Sequence, residues 1–158
     1  MDDPHRGYSP GIRRRLRLHA SAYEFPGPPF SITVCARARR RVFATPLLAD
    51  VCFTAAHRLA DLTSVHLHAL CVMPDHAHVL IEASPTCDVT SFVARWKSWV
   101  SHRAIELGVE RIWQPSFFDR ALRRDEDLEK VAVYIVHNPV RAGLVVTVDA
   151  YPWAWMRR

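Results

Sequence analysis

Met73-Pro74-Asp75-His76-Ala77-His78-Val79-Leu80-Ile81 is the stretch on which the reading of this chain turns. A proline turn leads into an apolar run that carries two histidines two residues apart. Side chains of a strand alternate faces, so His76 and His78 are expected on one side, with Val79 and Ile81 packed on the other. Their Cα atoms would lie about 6 to 7 Å apart, which lets two imidazoles converge on one ion. Spacing alone is weak support for a metal site, because nine histidines in 158 residues make about half a His-x-His pair by chance. A second pair, His66 and His68, stands on the preceding segment with Leu67, Ala69 and Cys71 as its alternates. It reads as the polar side of a hairpin, where histidines need no metal.

Working outward, the segment Val65 to Met73 and the segment Ala77 to Glu82 form two strands around the Pro74-Asp75 turn, hence a hairpin. Upstream, Phe30-Ser31-Ile32-Thr33-Val34-Cys35 alternates apolar and small polar residues, the period of a half-buried strand. Thr45-Pro46 then opens a helix, with Thr45 placed to cap it and Leu48, Val51, Cys52, Ala55, Leu59 and Leu62 recurring at helical spacing as far as Thr63. Downstream, Val89, Phe92, Val93, Trp96 and Val100 make the apolar stripe of a second helix ending near Gly108. Ser116 to Leu122 supplies a further strand. Asp125-Glu126-Asp127 then marks the start of a third helix, buried through Leu128, Val131, Ala132 and Ile135. The order strand, helix, strand, strand, helix, strand is that of a ferredoxin-like α/β sandwich, an α+β antiparallel sheet with two packed helices and an added C-terminal helix.

Length fits one domain over residues 1–158, with an irregular basic arm over 1–29 and a core over 30–153. Hydrophobic and charged shares of 49% and 23% are those of an ordinary globular chain, and no apolar run is long enough to span a bilayer. Met1-Asp2-Asp3-Pro4 opens with acids rather than a basic and apolar leader, so a cytoplasmic location and no membrane partner are expected. Cys35, Cys52, Cys71 and Cys87 lack metal-binding spacing and read as free thiols.

A net charge of +5 favours an anionic partner such as nucleic acid, and all but Lys97 and Lys130 of the 21 basic residues are arginines. Guanidinium groups bind phosphate bidentately. The candidate contacts are Arg13, Arg14 and Arg15 in the arm, Arg39 and Arg40 after the first strand, and Arg120 on the last. On the second helix Arg95, Trp99 and Arg103 share the side away from the apolar stripe, with Lys97 as a further basic group. The same side reads equally well as a solvated face with one partly buried tryptophan.

On the third helix Tyr134 falls away from the apolar stripe, with Lys130, His137 and Asn138. Tyr134 and Asn138, four apart, can face one site, although Pro139 makes Asn138 the end of the last turn. By position alone Tyr134 reads more readily as a partly buried tyrosine than as a nucleophile.

Taken together, Cys71-Val72-Met73-Pro74-Asp75-His76-Ala77-His78-Val79-Leu80-Ile81, Trp113-Gln114-Pro115-Ser116-Phe117-Phe118-Asp119-Arg120 and Tyr134-Ile135-Val136-His137-Asn138-Pro139-Val140-Arg141-Ala142-Gly143-Leu144-Val145 resemble, in this order, the single-tyrosine HUH transposases. Within these the chain is most similar to the REP-associated tyrosine transposases, from about Phe30 to Trp153. The resemblance implies a DNA-binding enzyme of transposition and recombination that cleaves and rejoins single-stranded or hairpin DNA. It implies His76 and His78 as ligands of a divalent metal, Mg²⁺ or Mn²⁺, with Asn138 or His137 as the third, and Tyr134 as nucleophile. It also implies either a homodimer that exchanges the tyrosine helix or a monomer acting in cis, and nothing in the sequence chooses.

The implied chemistry is coherent. A tyrosine hydroxyl ordinarily ionises near pH about 10, so it attacks poorly unless the target phosphate is activated, which a divalent cation can do. Attack would leave a 5′-phosphotyrosine and a free 3′-hydroxyl, and the conserved phosphodiester energy would permit rejoining. Two other readings compete: a nucleic-acid-binding module without cleavage, and a metal phosphodiesterase that activates water.

Overall fold

The computed structural model describes residues 18–158, so Arg13, Arg14 and Arg15 lie outside the described residues. Five strands form one antiparallel sheet: β1 (Phe30–Cys35), β2 (His66–Met73), β3 (His76–Glu82), β4 (Phe118–Ala121) and β5 (Ala154–Met156). Their order is β4-β1-β3-β2-β5, so the ferredoxin-like arrangement of the first four strands is extended by one at the β2 edge. The helices are α1 (Pro46–Thr63), α2 (Val89–Glu106), α3 (Leu128–Val136) and the single turn α4 (Asn138–Arg141). No helix among the described residues is long and apolar enough to cross a membrane.

The central strand β3 pairs with β1 from Phe30↔Ile81 to Cys35↔His76 and with β2 from His66↔Glu82 to Met73↔His76. Its alternation divides two cores. Ala77, Val79 and Ile81 join Phe30, Ile32 and Val34 of β1 beneath α1 and α2, where Phe92 and Trp96 are fully buried. Leu80 instead joins Ala69, Cys71 and Met73 of β2 beneath Ala132, Ile135 and Val136 of α3. His76 and His78 share the Leu80 face, and are thereby assigned to the α3 side of the sheet.

Several expectations need correction. A bulge between Leu67 and Ala69 adds His68 to β2, so Leu67 enters the α1/α2 core and Ala69 the α3 core. The strict alternation expected around His66 and His68 is broken there. The strand expected over Ser116 to Leu122 is shorter, because Ser116 has φ 67, a left-handed conformation that cannot belong to an extended ladder. Thr45 precedes α1 but makes no side-chain cap; Pro46 fills the first turn, where its missing N–H costs nothing. The arm is not irregular throughout, since a 3₁₀ turn at Ala20–Tyr23 buries Tyr23 against Phe30 at 4.8 Å and its hydroxyl donates to Asp119 Oδ2 at 2.7 Å. Asn138 does not end α3. The break falls at His137, and Asn138 starts α4 with Pro139 in its first turn. All four cysteines are free and buried, as expected.

The C-terminal segment closes the α3 side. Tyr151 is buried, its hydroxyl donates to the Val72 carbonyl at 2.7 Å, and the Val72 amide donates to Trp153 O at 2.9 Å, carrying the chain into β5. Burial, helped by the nearby Cys71, pushes the Tyr151 hydroxyl up to about 12, so it stays a donor at any ordinary pH. Tyr151→Phe keeps the ring but strips the Val72 carbonyl of that donor, and should cost about 1 to 2 kcal/mol in urea denaturation with an unchanged m-value.

Candidate active site

The β2–β3 turn and the two-sided packing of β3 bring the histidines together. Their Nε2 atoms are 3.0 Å apart and their rings meet edge to face at 4.7 Å. Each ring is held from behind. His76 Nδ1 donates to Asp75 Oδ1 at 2.6 Å, and His78 Nδ1 meets the Thr33 hydroxyl of β1 at 2.9 Å. Asp75 therefore leaves His76 Nε2 as a bare lone pair. Thr33 can donate or accept, so His78 can offer either an N–H or a lone pair to the same point. With both lone pairs presented, the pair suits one shared cation. Two nitrogens each about 2.1 Å from an ion stand about 3.0 Å apart at a right angle and about 3.4 Å at a tetrahedral one.

Both imidazoles are held neutral, the form a ligand requires. Burial lowers the His76 pKa, against the opposing pull of Asp75. Burial pushes His78 down to about 3, helped by His76 and by the charges of Arg141 and Arg39. The control pair behaves differently. The His66 and His68 rings lie stacked at 6.4 Å, and His68 faces Glu82 at 3.4 Å.

A cleft of about 860 Å³ opens over the histidines, and Tyr134, Asn138 and Arg141 line it with Thr33, Cys35 and Arg39. Tyr134 is 59% exposed. Tyr23 and Tyr151, by contrast, have buried rings and committed hydroxyls. Asn138 Nδ2 donates to Ile135 O at 2.9 Å, and its Oδ1 accepts from Arg141 Nη2 at 2.8 Å, which fixes the orientation of the amide. His137 is exposed, does not line the cleft, and places its Nδ1 2.8 Å from Val133 O. Among the described residues no three of His, Cys, Asp and Glu cluster as a metal site, so a third donor beside the histidines would have to be of another type, such as the Asn138 amide oxygen.

The other expected contacts scatter. Arg39 reaches the cleft from a backbone of two consecutive left-handed residues, Ala38 (φ 51) and Arg39 (φ 55), pairs with Asp75 at 3.1 Å and donates to Cys35 Sγ at 3.1 Å. Arg40 donates to the carbonyls of Glu110 and Arg111, and Arg120 forms a two-oxygen pair with Glu126 at 2.7 and 2.8 Å. Lys97 is spent on the loop before β4, donating to Gln114 O and Ser116 O at 2.9 and 2.8 Å, and burial lowers its pKa. Trp99 packs on the core under the Arg58 guanidinium at 5.6 Å, and Arg103 pairs with Glu106. Arg95 lines a separate polar cleft beside the start of α2. Because α2 covers the opposite face of the sheet, Arg95, Trp99 and Arg103 do not join the histidines.

The family model described as "Transposase IS200 like" matches residues 29–138, a span that holds β1, the paired histidines, Tyr134 and Asn138. The chain belongs to this transposase family. A REP-associated tyrosine transposase of Escherichia coli (strain K12) is 30% identical over 92 residues, covering 58% of this chain and 54% of that protein. A relative from Haemophilus influenzae is 26% identical over 102 residues, covering 57% of this chain and 58% of that protein. The chain thus matches little more than half the length of these curated relatives. A solved REP-associated tyrosine transposase bound to a REP hairpin superposes with a TM-score of 0.71 at 26% identity, over 91% of this chain and 81% of that one. A Deinococcus radiodurans R1 protein described as a transposase shares the fold at a TM-score of 0.52 and 20% identity, over 81% of this chain and 95% of that one.

Three residues that act on the site received no role from the sequence: Thr33 and Arg141, which line the cleft, and Asp75, which holds His76 from behind. Thr33 was within reach of pattern reading, since it lies on the polar side of β1; its pairing with His78 depends on strand register. Arg141 follows Tyr134 by seven and Asn138 by three, helical neighbour spacing that the break at His137 obscures.

The buried neutral histidines give the protein a directed response to acid. An unfolded histidine takes up its proton near pH about 6.5, whereas His78 in the fold resists until about 3. A depressed pKa means stability is complete above about 6.5 and is lost as pH falls, by up to about 1.4 kcal/mol per pH unit for one histidine. Urea denaturation in chelator from pH about 7 to about 5 should show this slope, and His78→Gln should flatten it, the remainder coming from His57, His68 and His76. An unchanged slope in the variant would contradict a neutral His78.

Proposed function

We propose that this transposase binds single-stranded or hairpin DNA and cuts and rejoins it, with Tyr134 as covalent nucleophile and a divalent ion, Mg²⁺ or Mn²⁺, held by His76, His78 and Asn138. The observation that carries the reading is a single cleft lined by two converging neutral imidazoles and by the one exposed tyrosine among the described residues. The hairpin partner is supported by the neighbour solved with a REP hairpin. Asn138 is favoured over His137 as third donor because it lines the cleft and His137 does not.

In this reading Tyr134 Oη attacks the scissile phosphorus while the P–O3′ bond breaks, giving a 5′-phosphotyrosine and a 3′-hydroxyl. The proton of the phenol is released to water at the exposed ring, and one is taken up by the departing O3′. When bound, the divalent ion would draw charge from a phosphoryl oxygen and offset what builds up during attack. Arg39 and Arg141 flank the cleft and attract the phosphate. Asp75 and Thr33 hold the imidazoles in the orientation ligation needs. Return attack by a 3′-hydroxyl reverses the step and joins strands without an external energy source. Tyr134 and the histidines of one chain line the same cleft, which favours a site complete within a monomer.

Incubating the protein with labelled hairpin or single-stranded DNA and Mn²⁺ should yield a covalent adduct that survives denaturing gels. Tyr134→Phe should abolish it, and His76→Ala should slow it at least about 100-fold. Cleavage that persists in Tyr134→Phe but not in His76→Ala would instead establish the water-activating phosphodiesterase. Hairpin binding with no cleavage, unaffected by chelation or by His76→Ala, would establish a binding module. Asp75→Asn, which weakens the hold on His76, should reduce Mn²⁺ affinity about 10- to 100-fold in calorimetry.

A further inference from the structure

Tyr134 and Asn138 do not sit on one continuous helix. The break at His137 (φ −83, ψ 0) separates α3 from α4, so helical geometry alone does not hold the tyrosine and the amide in register. Arg141 crosses that break. Its guanidinium carbon lies 3.8 Å from the centre of the Tyr134 ring, and its Nη2 donates both to the Tyr134 carbonyl and to Asn138 Oδ1 at 2.8 Å. The far side of the same amide is tied back to Ile135 O. In none of the ion pairs among the described residues is Arg141 matched to a carboxylate. Its partners are neutral oxygens and a ring face, all belonging to the Tyr134 and Asn138 pair.

We propose that Arg141 is a positioning residue that fastens Tyr134 and Asn138 into one unit across the α3–α4 break. The inference rests on the reading of Tyr134 as nucleophile and Asn138 as metal donor. A planar guanidinium can set its carbon over a ring while one terminal nitrogen, at the edge of the plane, donates to two oxygens; in an ammonium the same nitrogen would have to serve both the ring face and the two oxygens. The ring contact and the two bonds from Nη2 therefore fix the Tyr134 ring and the Asn138 amide relative to each other and leave the amide oxygen one lone pair. Lysine at this position keeps the charge and loses the fastening.

The test compares Arg141→Lys, Arg141→Met, Asn138→Ala and the double variant Arg141→Lys/Asn138→Ala in the full chain. Mn²⁺ affinity is read by electron paramagnetic resonance without DNA. Hairpin affinity and the rate of adduct formation at saturating hairpin are read separately. Arg141→Lys should bind hairpin within about threefold of the parent, form adduct about 100-fold more slowly at saturation, and bind Mn²⁺ about tenfold more weakly. Arg141→Met should share the loss of adduct rate and also bind hairpin more weakly. Since Arg141 acts on the metal through Asn138, the double variant should bind Mn²⁺ no more weakly than Asn138→Ala, a comparison that holds even if a variant is less stable. Additive Mn²⁺ losses would overturn the proposal. So would parental Mn²⁺ affinity and saturated rate in Arg141→Lys with only hairpin affinity reduced in Arg141→Met, which would make Arg141 a phosphate contact alone. If the parent forms no adduct at all, the nucleophile reading fails, and the Mn²⁺ comparison still decides whether Arg141 orients Asn138.

Discussion

Everything in this structure hangs on the pairing of β3 along both of its edges. With β1 on one side and β2 on the other, its backbone has no freedom to twist a side chain from one face to the other. Val79 and Ile81 must enter the α1/α2 core, and so His76 and His78 must face α3. A one-residue slip would turn Val79 and Ile81 toward α3 and carry the imidazoles under α1 and α2. The hydrophobic effect that fixes the register therefore also aims the histidines.

That placement carries an electrostatic cost. Two imidazoles beneath a helix layer cannot be readily protonated, and they remain soluble in the fold because Asp75 and Thr33 satisfy their rear nitrogens. The front nitrogens are left facing one another across 3.0 Å. The layer above them is deliberately incomplete. α3 buries Ala132, Ile135 and Val136 but stops at His137, and the turn that follows leaves Tyr134, Asn138 and Arg141 around an open cleft instead of closing it. Pro139 suits this break, since it lacks an N–H and is tolerated in the first turn of α4.

Short-range order made the histidines, α1, α2 and the four ferredoxin-like strands legible, because a period of two or of 3.6 residues is written in the sequence itself. What escaped depends on partners far along the chain. The three-residue strand β5 has no period to read and exists only through Val72, Trp153 and the β2 edge. The bulge at His68 appears only once β2 is set against β3. Tyr23 looks like arm residue until Phe30 and Asp119 meet it. The basic residues are the clearest case. Composition counts guanidinium and ammonium groups alike, but Lys97, Arg40 and Arg120 are occupied by carbonyls and a carboxylate, whereas Arg141 is turned into the cleft.

The charges that remain in the cleft bear on what can enter it. Its nitrogen and amide donors are neutral, and Asp75 is already shared between His76 and Arg39. Arg39 and Arg141 both act to keep protons off His78, and the same fields oppose any cation that arrives alone. A phosphate reverses the balance, because it is drawn by the guanidiniums and brings oxygen donors of its own. Under the proposed function the cleft would thus take a cation and an anion together, with the neutral histidines contributing direction and the arginines contributing charge. The tyrosine stands beside that point of balance near the end of α3, where the cleft opens.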